Sequence, residues 1–353
     1  MKISVILPCY NVEKFIRNGL DSIIAQSCQN WEAILVDDGA TDSTGKIIDE
    51  YVANDSRFSA IHTNNQGVSA ARNEGLLKAS GNLIYFMDPD DEIDSQCFQK
   101  CIDAFQKYDP DMVHFNRKRI KNGIEKKDEF FPFEIVENEA ILKDYTAGLI
   151  GLSQNALNQY YKGEKIFHFK KNWQIWAFMI KKELVLNSRV RFHNDLRMFE
   201  DAMFLAELTK EAKKIVRIPD VLYTYYIRDA GCLNSRKNDA SKIFEDKYKL
   251  IKYRAALRRK INNFDLHNFY IGSQVFSCLQ LLVKLSETKE NGQFCYAYIN
   301  SPEVQESIQK VDIENAPLKF KLPVFLLKQR KEHFLFFLCC LAHKIGMLKK
   351  LEF

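Results

Sequence analysis

Short apolar runs alternate with segments of helical spacing through the first hundred residues. Ile3-Ser4-Val5-Ile6-Leu7 is almost continuously aliphatic and closes at Pro8, which predicts a strand over 3–7. From 12 to 26, Phe15, Leu20, Ile23 and Ile24 return every three to five positions and predict a helix. A second strand over 33–36 stops at Asp37-Asp38-Gly39, and a helix over 43–53 gathers Ile47, Ile48, Tyr51 and Val52 on one side. Residues 59–62 predict a third strand, 69–79 a third helix and 83–87 a fourth strand. Strands that are apolar throughout, rather than alternating, are covered on both faces. The pattern therefore predicts an α/β fold with a parallel sheet between layers of helices.

Further along, the pattern loosens. Residues 109–115 predict another strand, 117–127 a hairpin or surface excursion around Asn122-Gly123, and 223–228 a half-buried strand ending in Arg228. Beyond Ser235 the apolar stretches at 243–257 and 270–285 predict helices. No internal repeat or low-complexity linker marks a boundary. Three segments are expected, 1–115, 116–234 and 235–353.

Composition changes this picture little. A chain of 353 residues with 46% hydrophobic and 27% charged residues can bury a large core. The nine cysteines are odd in number and scattered without metal-ligand spacing, so a reducing, cytoplasmic setting is expected. Cys97 and Cys101 share a helix face and are read as core. The chain opens on a strand rather than a signal peptide, and no apolar run reaches the roughly 18 residues that span a bilayer.

Charge is placed unevenly. Of the net +5, residues 318–353 carry eight Lys or Arg against two Glu, or +6, which leaves −1 for the remainder. A nucleic-acid-binding body is not expected from that balance. The apolar stretch 334–342 with basic flanks allows two readings: an interfacial helix on an anionic leaflet, or a helix docked on the body or on a second subunit of a homodimer.

The candidate chemistry sits in loops that follow strands. Met87-Asp88-Pro89-Asp90-Asp91 puts clustered carboxylates directly after an apolar strand, where hard oxygens can hold Mg²⁺ or Mn²⁺ against phosphates. A polar turn and helix cap is the plain alternative. Pro8-Cys9-Tyr10-Asn11, Asp37-Asp38-Gly39 and the segment 64–73 follow other strands. In a parallel sheet all four loops leave on one edge, so they read as one site.

Ser4-Val5-Ile6-Leu7-Pro8-Cys9-Tyr10-Asn11, Val36-Asp37-Asp38-Gly39-Ala40-Thr41-Asp42, Asn65-Gln66-Gly67-Val68-Ser69-Ala70-Ala71-Arg72-Asn73-Glu74-Gly75 and Met87-Asp88-Pro89-Asp90-Asp91 occur in that order. Together they resemble the nucleotide-binding half of the family 2 glycosyltransferases, inverting enzymes with the GT-A fold. The likeness is close over about 1–115, and Phe199-Glu200-Asp201-Ala202-Met203-Phe204 looks like the family's acidic catalytic motif. Ala40 and Pro89 stand where serine is usual, and neither removes a reactive group.

The resemblance implies a GT-A domain, a Rossmann-like and mostly parallel sheet flanked by helices, with a mainly helical C-terminal region. Residues 1–115 would bind the nucleotide sugar, 116–234 the acceptor and the catalytic group, and 235–353 would carry the basic amphipathic tail. It implies a UDP-sugar donor, Mn²⁺ or Mg²⁺, and a glycan or lipid-linked glycan acceptor in surface polysaccharide synthesis, such as capsule or lipopolysaccharide core. The cysteines place the expected enzyme in the cytoplasm, and the interfacial reading of the basic tail would put it in peripheral contact with the inner face of the plasma membrane. Donor contacts fall on Pro8, Tyr10, Asn11, Asp37, Asp38, Gly67, Arg72, Asn73, Asp88, Asp90 and Arg228.

Within that set Asp38, with Asp37 beside it, suits a uracil N3–H, because a carboxylate accepts where the ring donates. Tyr10 and Asn11 would line the base pocket, and Arg72 would approach the base, ribose or diphosphate behind the flexible Gly67. Asp90 would hold the metal, with Asp88 on the ribose or in support of the metal and Asp91 behind them. Asp201 would take the acceptor proton, Glu200 would orient the acceptor or loop, and Arg228 would close over the diphosphate. Trp173 and Trp176 either stack on an acceptor sugar or pack in the core.

Rival readings are transfer to a polyprenyl phosphate, for which the usual transmembrane helices are missing, and a non-catalytic nucleotide-sugar or glycan-binding protein. A phosphorelay receiver is excluded, since Asp37 follows the second strand rather than the first and the chain is too long.

Overall fold

The computed structural model describes residues 1–126, 131–151, 162, 174–228, 239–261 and 264–344. The chain divides into two compact units, Met1–Thr146 with Asn172–Asp229, and Ala147–Lys171 with Ala230–Phe353.

The first unit is built on one mixed sheet. Strands β1 (Ile3–Cys9), β2 (Trp31–Asp37), β3 (Phe58–His62) and β4 (Leu83–Phe86) form its parallel half. The short β5 (Glu92–Ile93), β6 (Met112–Lys121), β9 (Phe178–Lys181) and β10 (Lys214–Ile227) complete the order β3-β2-β1-β4-β9-β6-β10-β5. Two further strands, β7 (Ile124–Lys126) and β8 (Glu134–Glu137), pair with β6 and β10. This is the helix-flanked α/β sheet that the apolar runs predict, parallel over β1 to β4 as expected but mixed beyond them, where β9 runs antiparallel between β4 and β6. The central strands are buried on both faces, as the absence of alternation requires.

Helices α1 (Ile16–Ile24), α2 (Thr44–Asn54), α3 (Val68–Lys78) and α4 (Cys97–Tyr108) follow the first strands. The first begins later than its periodicity predicts, because Val12 O accepts from the amides of Phe15 and Ile16 and closes a turn first. Gly75 lets α3 lie close to β1: a Cβ there would come within 2.4 Å of the Ile6 side chain. Cys97 and Cys101 are buried on α4, in the core as expected. At Asn122 and Gly123, with φ of 51° and 74°, β6 turns back into β7, the tight hairpin that an Asn-Gly pair favours.

Register decides what β10 can reach. It runs parallel to β6 with irregularities around Pro219, which has no amide to give a ladder. Past that point Tyr223 and Thr224 pair with Ile93 and Glu92 of β5, which continues directly from the carboxylate loop. Before β10 come helices α5 (Lys182–Ser188) and α6 (Glu200–Glu211).

Among its described residues, the second unit is built from helices α7 (Ala240–Lys260), α8 (Phe264–Leu285), α9 (Gly292–Ile299), α10 (Pro302–Lys310), α11 (Leu318–Lys328) and α12 (Glu332–Lys344). Asp239 caps α7, its carboxylate accepting from the amides of Ser241 and Lys242 at 3.1 and 3.2 Å. Leu282, Ile299, Val304, Phe320 and Phe336 belong to a core of the unit's own. Among the described residues no helix is long and apolar enough to cross a membrane.

Candidate active site

The loops after β1 and β2 are tied together before any ligand is considered. Asp38 N donates to Cys9 O at 2.9 Å, and the Asn11 side-chain oxygen accepts from Thr41 N at 2.8 Å, with Asn11 held at φ 50°. Asp37 accepts from Ala40 N at 2.8 Å and faces His62 Nδ1 at 2.9 Å. Asp38 accepts from Gln66 N at 2.8 Å and from Gly67 N at 2.7 Å and is almost wholly buried. Both carboxylates are thus engaged in shaping loops, a duty the sequence reading did not assign them. A carboxylate has about four acceptor sites, so lone pairs remain on each. Tyr10 is 45% exposed beside them, and Pro8 ends the apolar stretch of β1.

Gly67 begins α3 at φ 96° and ψ 163°, a conformation that only glycine adopts without strain. The space above it is also taken. A Cβ at Gly67 would come within 1.7 Å of Arg197 Nη1, which itself donates to Gln66 O at 2.9 Å. Arg197 therefore fastens the segment that precedes α6 onto the glycine loop.

Asn73 acts in the same direction. Its amide exchanges hydrogen bonds with the Phe192 backbone, donating at 2.8 Å and accepting at 3.0 Å, and also donates to Asn194 at 3.0 Å. Expected at the donor, Asn73 instead binds the backbone that leads to the acidic pair. Both of its side-chain polar atoms are engaged there.

Arg72 is the centre of the arrangement. It is 4% exposed, and its two terminal nitrogens donate to Asp88 Oδ1 and Glu200 Oε1, both at 3.0 Å. Its Cζ lies over the Phe192 ring, 5.3 Å from the centroid, and Phe192 in turn stacks on Phe204 at 4.1 Å. A guanidinium is suited to this place because its planar fork can hold two carboxylates at once. Expected near the donor, Arg72 is hydrogen-bonded to two of the protein's own acids.

The three carboxylates after β4 have separate surroundings. Asp88 meets Arg72. Asp90 accepts from Arg228 at 2.8 Å, and Arg228 also donates to the Asp90 carbonyl oxygen. Arg228 is itself sandwiched near Phe15 and Tyr226, at 4.1 and 5.2 Å from their rings. Asp91 is buried and accepts from Tyr223 OH at 2.8 Å and Tyr226 N at 2.9 Å. Burial, then the neighbouring Asp90 and Asp88 charges, push the Asp91 carboxyl up to about 8. Burial and the Asp88 charge also raise that of Asp90.

These surroundings suit a hard divalent cation. Asp90 is half-buried, has its charged form disfavoured, and has a second oxygen outside the Arg228 contact. Among the described residues no group of three or more His, Cys, Asp or Glu forms a cage. An ion here would complete its shell with phosphate oxygens and water, as Mg²⁺ commonly does.

Glu200 and Asp201 open α6, behind Phe199 at φ 65°. A bulky aromatic in the left-handed region is strained, and it sits one residue before the acidic pair. Asp201 accepts from Ala202 N at 2.7 Å. Burial first, then the Glu200 charge, push the Asp201 carboxyl up to about 7, against the pull of Arg72. Acids in the first turn also meet the positive end of the helix dipole.

Other expectations sort differently. Trp176 is buried and stacks on Tyr223 at 4.2 Å with Arg117 5.1 Å from its ring, so it packs in an aromatic ladder. Trp173 lies outside the described residues. Arg197 and Phe192 are not singled out by the sequence, and Phe199 enters only as the first residue of the acidic motif; the position of Arg197 three residues before Glu200 is the one local signal that could have drawn notice.

The family model described as Glycosyl transferase family 2 matches residues 4–178. The glycosyltransferase GlyG of Streptococcus pneumoniae serotype 4 is 30% identical over 234 residues, covering 66% of this chain and 73% of GlyG. EpsJ of Bacillus subtilis, an uncharacterized glycosyltransferase, is 29% identical over 226 residues, 63% of this chain and 60% of EpsJ, so the match spans less than two thirds of that relative. In fold, the crystal structure of Staphylococcus aureus TarS residues 1–349 superposes with a TM-score of 0.65 over 98% of this chain and 92% of that 1–349 chain, at 19% identity. TarS in complex with UDP-GlcNAc matches at 0.64.

Proposed function

Since the chain belongs to glycosyl transferase family 2, we propose that it transfers a sugar from a nucleoside diphosphate sugar to a hydroxyl of a glycan or glycolipid, with inversion. One observation carries this reading: Arg72 ties Asp88 of the carboxylate loop to Glu200 of the acidic pair. A proposed donor-binding carboxylate is thereby linked to the residue that directly precedes the candidate base Asp201.

The step is a single displacement. The acceptor oxygen attacks the anomeric carbon as Asp201 takes its proton, and the bond to the diphosphate breaks with its electron pair leaving on the phosphate oxygen. A carboxyl held near 7 is well matched to that task at neutral pH. Glu200 holds the helix start against Arg72 rather than competing for the proton. Asp90 and Asp88 would hold Mn²⁺ or Mg²⁺, which when bound neutralises charge developing on the departing diphosphate. Arg228, half-buried beside Asp90, supplies a second cation on the same side.

UDP-sugars are the first donors to try, because TarS, of the same fold, has been solved with UDP-GlcNAc. Tyr10 and the remaining lone pairs of Asp38 are proposed for the base. Surface polysaccharide is the proposed destination of the sugar. The reading is tested by screening nucleotide sugars for thermal stabilisation with and without Mn²⁺, followed by transfer assays on the hit. No stabilisation by any nucleoside diphosphate sugar would overturn it.

A further inference from the structure

Helices α11 and α12 leave a band of large apolar side chains in solvent. On α11 these are Leu318, Leu322 and Phe325, spaced four and three apart; on α12 they are Phe334, Phe337 and Leu341, spaced three and four. Such spacings put each trio on one helix face, and the two helices pack against each other. Exposure runs from 47% at Leu341 to 74% at Leu318. The opposite faces, with Phe320, Val324 and Leu327 and with Leu335, Phe336 and Cys340, are buried in the unit's core. The exposed trios are therefore a second apolar face rather than loose packing.

Charge identifies what that face suits. Residues 318–344 hold Lys319, Lys321, Lys328, Arg330, Lys331 and Lys344 against a single acid, Glu332, which is buried. On the helix wheel Lys319 and Lys321 flank the Leu318–Leu322–Phe325 stripe on either side, and Arg330 and Lys331 lie between the helices. Lys319, Lys321, Arg330, Lys331 and Lys344 are all exposed. Apolar side chains bordered by cations, with no exposed carboxylate among them, match the acyl boundary and headgroups of an anionic bilayer. A second copy of the same face would instead set like charges against each other.

We propose that α11 and α12 form a membrane-surface patch that rests on an anionic lipid leaflet. The patch stands on exposure and charge in the second unit, not on the donor chemistry.

Flotation of the full chain with phosphatidylcholine vesicles, alone or containing phosphatidylglycerol, tests it. Binding is expected to the anionic vesicles only and to weaken as salt rises. Lys319→Ala with Lys321→Ala should lower it about fivefold per lysine, from about 1 kcal/mol each. Leu322→Ser with Phe325→Ser and Phe337→Ser should lower it at least tenfold. All these side chains are exposed, and an unchanged melting temperature verifies the fold of each variant. Asp201→Asn should bind like the parent, which separates this proposal from the catalytic one. Absence of binding at low salt, equal binding to both vesicles, or retention of binding in both variants overturns the proposal. So does a concentration-dependent dimer, seen by sedimentation, that the serine variants abolish.

Discussion

Arg72 and Glu200 lie 128 positions apart in the chain and 3.0 Å apart in space. The same guanidinium reaches Asp88 at an equal distance, so one buried cation joins the loop after β4 to the start of α6.

Removing that cation should cost stability and activity together. Arg72→Ala leaves Asp88 and the largely buried Glu200 uncompensated, and breaking a buried pair costs about 3–5 kcal/mol. Arg72→Lys keeps the charge but cannot fork to both acids. We expect the lysine variant to recover most of the melting temperature while kcat stays at least tenfold low. Equal recovery of both would refute a bridging role.

Asp201→Asn should leave donor affinity intact and lower transfer by about 10²- to 10⁴-fold, the usual worth of a positioned base. Calorimetric titration of UDP-sugar beside initial-rate assays separates the two effects.

The Asp201 carboxyl, raised to about 7, also sets the pH profile. The base form is the deprotonated one, so kcat should climb about tenfold per pH unit below 7 and level off above it. Burial comes first among the causes and the Glu200 charge second. Glu200→Gln should therefore move the limb to lower pH; a shift upward would contradict the assignment.

Asp90→Ala should abolish the part of UDP-dependent thermal stabilisation that Mn²⁺ supplies. It should change the melting temperature of the free protein little, since Asp90 is half-exposed and its partner Arg228 stays stacked near Phe15. Differential scanning with and without Mn²⁺ reads both.

Gly67→Ala is predicted to destabilise by about 1–3 kcal/mol, from forcing a side chain into a backbone region essentially limited to glycine. The clash with Arg197 is with a movable guanidinium, so a double variant with Arg197→Ala should not restore stability. Restoration in denaturant melts would assign the cost to the clash instead.

Much of the first unit follows from local pattern. Buried strands announce themselves as continuous apolar runs, and Asp38-Gly39 and Asn122-Gly123 mark where they stop or turn, although β1 runs past Pro8 to Cys9. The parallel sheet then brings Tyr10, Asp38, Gly67 and Asp90 to one edge, because loops after parallel strands share a side. Chemical type was legible as well: clustered carboxylates suggest a cation and phosphate, whoever their neighbours are.

What residues do within that edge was decided by contacts between distant segments. The sequence by itself determined that Arg72 and Asn73 lie at the start of a helix behind Gly67. Tertiary structure turned Arg72 toward Asp88 and Glu200, and Asn73 toward Phe192, since a buried donor must find an acceptor and these were the ones in reach. It likewise engaged Asp38 with the Gln66 and Gly67 amides and set Arg228 on Asp90 through the pairing of β10 with β5. Periodicity is a property of neighbours in sequence, whereas partner choice among buried charges depends on which segments the sheet brings together.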